Sequence, residues 1–500
     1  MIAFAISYAQ SPLFTSNQNQ YFLHGLARAG YGFLADDWLA NTRDPTLLFS
    51  WLVEWTWRLF ENGTAFYLYY ALLMGVYLFS LAGIADAIFK VRETRLKYGV
   101  FLAGMVGIHS ALARQALADG IGESWRYLLE GGLAGQRLLG DVLEPSSFGV
   151  FLLLSICLFL RGKPYWAVAA IGVAASFHPT YMLGGALLTI SYGVVHLIET
   201  KNIRQTIATG VLALALVAPN LLYATTVFTP SDAEVYVDMQ AELVTFRIPH
   251  HAIVTEWFGV SAAAQIGIML LGLWLARRSR LFWVLAVPAL AAIALTAAQL
   301  LTGSNALALL FPWRVSVMLV PIATTLMLSF GLTRLWARFG GRLEQNAKVV
   351  RGTLAVMVVA LMATGIVRFR LEAEQKYSGP QAEMMAYVRE NLVEGQRFII
   401  PVSLDDFRLA TGAPVAVDRK SIAYLDTELA VWLTRVHNVN RFYREDNQRG
   451  NCRHLRILAE EFGATHVVLP QRDFLIDCKN TEEIYNNGAF AIRRILIEVR

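Results

Sequence analysis

The chain has 500 residues, of which 56% are apolar and only 16% charged, and its mean hydropathy is +0.45. Soluble domains are nearer 45–50% apolar and about 25% charged. With three cysteines, the composition excludes a disordered chain, a disulfide-dense secreted scaffold and an ordinary cytosolic enzyme. The class of protein that remains is a membrane protein with several spans and an attached soluble domain.

The excess of basic residues is explained by membrane topology rather than by binding to nucleic acid. The net charge is +5 and the pI is near 9, but the basic residues stand between apolar runs. Each spanning helix needs about 17–25 largely apolar residues. The hydropathy pattern predicts eleven spans, at 1–14, 64–89, 98–116, 146–160, 165–178, 181–198, 205–224, 262–276, 281–301, 311–333 and 352–369. The first is short and lacks the features of a signal peptide. Either this helix is shallow, or the given sequence begins inside a longer first helix.

Alternate loops differ sharply in charge. One set holds sixteen basic and three acidic residues, whereas the other set, up to residue 370, holds ten basic and fifteen acidic residues. The positive-inside rule assigns the basic set to the cytoplasm. The loops 15–63, 117–145, 225–261 and 302–310 and the tail are then expected outside it. The amphipathic segment Leu47–Phe60 is predicted to be a helix on the outer membrane surface.

Residues 1–370 are predicted to form the membrane domain, and residues 371–500 a small outer α/β domain. The predicted strands are Phe398–Val402, Pro414–Val417, His466–Leu469 and Phe490–Ile497, and the predicted helices are Leu425–Tyr443 and His454–Phe462. Cys452 and Cys478 both lie in this tail. An oxidising compartment would favour a disulfide between them, and two buried free thiols are the alternative.

The first outer loop contains the acidic segment Asp36-Asp37, followed by Asp44-Pro45. A carboxylate in reach of a hydroxyl proton can act as a general base, and a second acid can orient it or help hold a divalent cation. The structural alternative is that one aspartate caps the short helix beginning at Trp38, and that Asp44 starts a turn.

Other candidates follow along the chain. Glu144 precedes a proline where the fourth span begins, and Arg137 lies in the same loop. His178 and Arg314 lie at the outer ends of apolar runs. A guanidinium suits a phosphate because its planar fork donates two hydrogen bonds. The alternatives are a solvated loop, a structural histidine and an interfacial arginine. No P-loop, nucleophile elbow, zinc spacing or dinucleotide fingerprint is present in the sequence.

The sequence resembles the GT-C superfamily of integral membrane glycosyltransferases, and more closely a group of bacterial membrane proteins within it. The resemblance covers nearly the whole chain. It is carried by segments spread over both predicted domains, namely Ser16–Tyr21, Asp37–Ala40 with Asp44-Pro45, Phe177–Tyr181, Pro312–Arg314, Phe407–Gly412 and Asp418–Ser421.

This resemblance implies a GT-C-like fold and a polyprenyl-phosphate-linked sugar donor used at the outer face of the bacterial inner membrane. Asp36 or Asp37 would be the base of an inverting transfer to a cell-envelope or exopolysaccharide acceptor, with Asp44 and Glu144 as secondary acids. Arg314, then His178 and Arg137, would bind the donor phosphate. No cofactor is expected, and a divalent cation is not favoured.

Two other functions stay open. The chain could be a non-catalytic accessory or scaffold subunit of a membrane complex, binding protein partners through its tail. A transporter is disfavoured, because it would place broken helices at mid-membrane. The partners expected are the lipid-linked donor and membrane lipid, and no nucleic acid.

Overall fold

The computed structural model describes residues 1–444, 448–471 and 478–496. It divides into two compact units. The helical unit comprises Met1–Gln10, Phe66–Leu222 and Gln240–Arg370, and the mixed unit comprises Ser11–Ala65, Tyr223–Met239 and Leu371–Arg500. The division after Arg370 coincides with the predicted domain boundary. The mixed unit also contains two segments that were predicted to be loops of the membrane domain.

The helical unit contains six helices that are long and apolar enough to cross a membrane, counted over the described residues. They are Thr64–Phe89, Tyr181–Glu199, Ile203–Val227, Leu281–Thr302, Asn305–Gln345 (which includes the continuous helix Ser316–Gln345) and Ala347–Tyr377. The pair Arg95–Ile108 and Ala111–Ile121, bent by 47°, makes a seventh if it is counted as one span. The chain is therefore a helical polytopic membrane protein.

The remaining predicted spans fall on shorter helices. The segment 1–14 contains the helix Ile2–Tyr8, of only seven residues. Three others form apolar helices of 10–17 residues: Pro145–Leu160, Pro164–Phe177 and Val260–Ala276. Short helices between them are Glu123–Trp125, Leu133–Gly135, Leu243–Arg247, Pro249–Ala252, Val254–Trp257, Asn305–Leu309 and Pro312–Val315.

Close helix contacts in this unit depend on small side chains. Gly272 lies on the helix Val260–Ala276, and a Cβ added there would stand 2.4 Å from the Cβ of Ala323 on the helix Ser316–Gln345. Burial of apolar surface does little to stabilise helix association in lipid. Small residues strengthen the packing instead, because they let the helix backbones approach closely.

The mixed unit combines short helices with one sheet. Its helices are Gln18–Tyr21, Leu23–Arg28, Leu34–Asp36, Leu39–Asn41, Leu47–Phe60, Pro380–Asn391, Phe407–Thr411, Asp426–Arg444 and Gln448–Phe462, and Ala233–Glu242 runs from it into the helical unit. The sheet has the order β1-β2-β4-β3, with β1 Phe398–Ile399, β2 His466–Pro470, β3 Thr481–Asn486 and β4 Phe490–Ile495. β1 pairs with β2 in parallel, and the other pairs are antiparallel.

The predicted strands agree with this sheet in part. Three of the four contain observed strands, although β1 is only two residues long, and Ile497 lies outside the described residues. Within Pro414–Val417, Val415 makes an isolated parallel bridge to Phe398. β3 was not predicted, because its sequence TEEIYN contains too few apolar residues at alternate positions.

The amphipathic helix Leu47–Phe60 is present as predicted. Phe49 and Val53 are fully buried, whereas Trp51 and Trp55 are more than half exposed. Cys452 and Cys478 form a disulfide, with Cα atoms 5.6 Å apart, a separation typical of this bond.

The N-terminal segment Ser11–Ala65 is joined to the tail by buried polar contacts within the mixed unit. The Gln20 side chain pairs with the Ile422 backbone through two hydrogen bonds, as a β-bridge would. The Ser421 hydroxyl donates to the Asn19 carbonyl at 3.1 Å. Breaking a buried hydrogen bond leaves a polar group unsatisfied, which costs free energy. These contacts therefore favour one arrangement of the N-terminal segment against the tail within the mixed unit.

Two glycine backbones also meet within this unit. A Cβ added to Gly32 would lie 2.4 Å from the Gly412 carbonyl oxygen, and Gly32 has φ +55°. The neighbouring Phe33 amide donates to that carbonyl at 2.9 Å. Only glycine tolerates both the conformation and the approach.

Asp405 is expected to make the mixed unit less stable as pH rises. Burial, and then the nearby carboxylates of Asp418 and Asp406, raise its pKa from 3.8 to about 6. The folded state thus holds this proton more tightly than the unfolded state. The contribution of Asp405 to the free energy of unfolding is therefore largest at low pH and is lost between about pH 4 and 6. Because the side chain is partly exposed, we expect an effect of only about 1 kcal/mol after screening.

Hydrogen exchange of the β2 amides in the full-length protein, corrected for intrinsic rates, measures this effect. Asp405→Asn should protect these amides more than wild type at pH 8 and equally at pH 4. Glu460→Gln, which removes an exposed ion pair to Arg456 of 3.9 Å, is the control and should not increase protection. The expectation would be contradicted if amide protection rose between pH 4 and 6 in the wild type and rose by more than it does in Asp405→Asn.

Candidate functional site

The Asp37 carboxylate is buried and its oxygens are already engaged within the mixed unit. Oδ1 accepts the backbone N–H of Leu39 at 2.9 Å. Oδ2 accepts from Nε of Arg408 at 2.8 Å and from the Val415 amide at 2.9 Å. The sequence predicted a cap on a helix beginning at Trp38; the observed one-turn helix begins at Leu39, and Asp37 accepts from its first residue.

Arg408 is shared between two carboxylates. It is only 2% exposed, and its Nη1 donates to Asp418. The other oxygen of Asp418 accepts from the Ser421 amide at 2.6 Å. Asp37, Arg408 and Asp418 therefore form a buried ionic network, which we call the Arg408 network. Its geometry fits a structural role for Asp37 better than proton transfer.

The other acids of the segment 15–63, predicted to be the first outer loop, differ from Asp37. Asp36 is exposed, and its carboxylate makes no hydrogen bond or ion pair to any residue in the described part of the chain. Asp44 is buried, pairs with Arg28 at 3.2 Å, and accepts from the Thr46 amide at 2.9 Å. Asp44 thus starts a turn, and Asp36 is the free acid.

Arg314 and His178 come together in the helical unit. Arg314 lies in the one-turn helix Pro312–Val315, and its Nη1 is 3.3 Å from Nε2 of His178 and donates to the Thr180 hydroxyl. Its Nε donates to the Gln136 amide oxygen at 3.0 Å. Since a guanidinium only donates, Nε2 of His178 is the acceptor, and the imidazole is neutral.

A small pocket, with room for about one water-sized group, opens beside this group. Thr180 and Arg314 are polar members of its wall, and the others are Leu152, Tyr181, Leu183, Gly184, Phe311, Val315 and Met318. An apolar slot with one guanidinium is suited to a ligand with a hydrocarbon part and an anionic group. We call this the Arg314 cavity.

Glu144 is connected to this cavity through Tyr181. The Tyr181 hydroxyl donates to the Ser146 carbonyl at 2.7 Å, and the Ser146 hydroxyl donates to Glu144. The Tyr181 ring centroid is 5.9 Å from the Arg314 guanidinium carbon. Oε2 of Glu144 is buried and has no hydrogen-bond partner among the described residues.

Arg137 belongs to a different group. Its guanidinium lies over the Tyr127 ring, 4.1 Å from the centroid, and is 3.9 Å from the Asp141 carboxylate. Its neighbour Gln136, rather than Arg137, contacts Arg314. Sequence reasoning missed Gln136 because an uncharged loop residue has no distinguishing pattern, and missed Thr180 although it stands two positions after His178.

A second buried polar group was also missed. Glu130 accepts from the Tyr8 hydroxyl at 3.2 Å, and lies 3.6 Å from Arg114 and 3.8 Å from His109. Burial raises the pKa of Glu130 to about 7 against the opposing effect of Arg114. The sequence signal that could have identified this group is the presence of Glu130 and Arg114 among largely apolar residues.

Among the described residues, no group of three or more His, Cys, Asp or Glu side chains is arranged to hold a metal ion. In the adjacent pair His250-His251, His251 Nδ1 lies 2.5 Å from the Ala134 carbonyl, and its ring is 4.1 Å from that of His250.

Residues 380–439 match the family model of a domain of unknown function, DUF6798. No curated protein matches the chain. The matched segment contains Arg408 and Asp418, so the similarity covers two of the three members of the Arg408 network.

Proposed function

We propose that the chain is a membrane glycosyltransferase whose sugar donor is a lipid-linked phosphate, bound with its phosphate at Arg314. The observation that carries the proposal is the Arg314 cavity, which offers apolar walls and a half-buried guanidinium together. Arg314 is already held by Gln136 and Thr180, so little conformational freedom would be lost on binding. Such preorganisation favours both affinity and charge stabilisation.

The proposed reaction is an inverting transfer. An acceptor hydroxyl attacks the anomeric carbon, the bond from that carbon to the phosphate oxygen breaks, and the lipid phosphate leaves with the electron pair. Arg314 would stabilise the charge on the leaving phosphate, and a carboxylate would take the hydroxyl proton. Of the adjacent pair, Asp36 is the better candidate base, because the oxygens of Asp37 are occupied by Leu39, Arg408 and Val415.

The proposed topology has eleven spans and a GT-C-like fold, with the mixed unit on the outer, periplasmic side of a bacterial inner membrane. The short apolar helices would then complete the set of spans. The positive charge of alternate loops supports this orientation. The disulfide between Cys452 and Cys478 supports it independently, because disulfides persist in oxidising compartments.

Removing the guanidinium of Arg314 should weaken donor binding. We expect Arg314→Ala to lower affinity for a polyprenyl-phosphate sugar by about 10- to 100-fold, because a charge-assisted contact to phosphate contributes roughly 1.5–3 kcal/mol. Arg314→Lys should lose less, since it keeps the charge but not the fork. Titration of the purified protein in lipid nanodiscs with a panel of such donors measures this.

Arg277→Ala is the matched control. Arg277 is exposed in a loop of the same unit and its guanidinium donates to the Trp274 carbonyl. It should bind donor as wild type does. Equal affinities for wild type and Arg314→Ala, or no binding of any donor by wild type, would contradict the proposed site.

The second candidate is a non-catalytic accessory subunit of a membrane complex, and the Arg408 network favours it. One of the two adjacent aspartates is part of the internal structure of the mixed unit. A protein that binds lipid-linked sugar but transfers none, and that retains a specific protein partner through the mixed unit, would support this function instead.

A further inference from the structure

The helical unit contains a cluster in which two guanidiniums face two carboxylates. Arg114 lies 3.6 Å from Glu130 and 4.0 Å from Asp141, and Arg137 lies 3.9 Å from Asp141. Glu130 and Arg114 are buried, whereas the Asp141 side chain is 42% exposed. When both acids are ionised the four groups are electrically balanced. We call these four residues the Glu130 cluster.

Glu130 is the member of the cluster best suited to gain a proton. Its Oε1 accepts from the Tyr8 hydroxyl, while Oε2 is buried without a hydrogen-bond partner among the described residues. That oxygen lies 3.8 Å from Nε2 of His109. Nε2 also contacts the Tyr77 hydroxyl at 3.0 Å, and Nδ1 contacts the Met105 carbonyl at 2.9 Å.

Other groups complete the electrostatic surroundings of Glu130. The Tyr127 hydroxyl donates to both oxygens of Asp141 at 2.8 and 2.9 Å. Arg126 is engaged with Glu123 nearby. Together with Tyr8, Tyr77, His109 and the arginines, these residues leave Glu130 with one close cation, Arg114. Burial raises the pKa of Glu130 to about 7, which agrees with incomplete compensation by that cation.

A short, well-fixed segment leads from Glu130 to Arg314. The Gly132 amide donates to the Gln136 carbonyl at 2.7 Å, closing a tight turn. The Leu133 amide donates to Ser316 Oγ at 2.8 Å, two residues beyond Arg314. The turn then ends at Gln136, whose side chain accepts from Arg314. Hydrogen bonds therefore fix the backbone that follows Glu130 against the segment that contains Arg314.

We propose that Glu130 is a proton-binding residue that couples pH to anion binding at Arg314. When Glu130 gains a proton, the Glu130 cluster changes from neutral to a single positive charge, and the neighbouring site binds a lipid phosphate more tightly. By linkage, binding of the anion favours the protonated form. This inference rests on the lipid-phosphate site of the proposed function, but not on sugar transfer.

The test uses farnesyl phosphate methyl ester, a lipid phosphodiester that carries one negative charge throughout the range of pH. We expect wild type to bind it about three- to tenfold more tightly at pH 6 than at pH 8, because the added positive charge acts through the protein at an effective dielectric of about 20. Glu130→Gln should bind at pH 8 as wild type does at pH 6, with little dependence on pH. Asp141→Asn, which leaves Glu130 in place, should bind more tightly at pH 8 and keep a pH dependence.

A ligand-free measurement separates this inference from the proposed function. Asp405→Asn is used as the background, because Asp405 also gains a proton near pH 6. In that background, infrared difference spectroscopy should show a protonated carboxyl band that titrates near neutral pH and is missing when Glu130→Gln is added. Absence of that titration overturns the inference whether or not the probe binds. Retention of the wild-type pH dependence by Glu130→Gln also overturns it. A wild type that titrates but binds no probe at any pH overturns the coupling and the phosphate site together.

Discussion

Arg408→Met should destabilise the mixed unit by about 3–5 kcal/mol, the cost of leaving buried charges without their partner. Arg408 is 2% exposed and is the common partner of the Asp37 and Asp418 carboxylates. Methionine preserves much of the side-chain volume, so the loss would come from electrostatics and hydrogen bonds rather than from a cavity. Hydrogen exchange of the β2 amides in the full-length protein measures the change within this unit.

Arg494→Met provides the matched control. Arg494 pairs with Glu482 in the same unit, but the two side chains are 53% and 51% exposed. An exposed pair contributes less than about 1 kcal/mol. If both substitutions had equally small effects, Arg408 would not be an important stabilising residue of the mixed unit.

Asp36→Asn should abolish sugar transfer while leaving the fold intact. A positioned general base contributes about 100- to 10,000-fold to rate, so turnover should fall by that factor. Stability should change by less than about 0.5 kcal/mol, because exposed side chains without specific contacts contribute little. Transfer from a polyprenyl-phosphate sugar that binds the wild type, followed by release of the lipid phosphate, measures the rate.

Asp37→Asn distinguishes chemistry from structure at the adjacent position. It should destabilise the mixed unit by several kcal/mol, because an amide has one acceptor oxygen where Asp37 uses two, and it lacks the negative charge that balances Arg408. Residual activity per folded molecule should exceed that of Asp36→Asn. If Asp37→Asn instead had normal stability but lost turnover, Asp37 rather than Asp36 would be assigned as the general base. Undetectable transfer by wild type with every bound donor would favour the accessory function.

Local sequence patterns were informative wherever the determining interaction is local. Long apolar runs must form backbone hydrogen bonds within themselves, so they predict helices such as Thr64–Phe89 directly. The same holds for the helix Leu47–Phe60, whose apolar positions recur with the helical period. The length of a run does not decide whether a helix is a complete span, and the segment 1–14 forms only Ile2–Tyr8.

Candidate residues could be found by type but not assigned a role. Arg314 and His178 are recognisable as polar residues at the ends of apolar runs, and the structure brings them within 3.3 Å. Arg137 looked equivalent in sequence, but it pairs with Asp141, and Gln136 contacts Arg314 instead. Glu130 did not stand out, since its burial depends on how the surrounding helices pack.

By itself, the sequence determined that this is a helical membrane protein, the boundary after Arg370, and the residue types available for chemistry. Only the tertiary structure decided that the segment Ser11–Ala65 belongs with the tail and that Asp37 is held by Arg408, 371 residues away in the chain. Composition and periodicity report short-range hydrogen bonding and hydrophobic burial. The pairing of charges depends on long-range packing, which brings distant residues within a few ångströms and determines whether a carboxylate remains free to react.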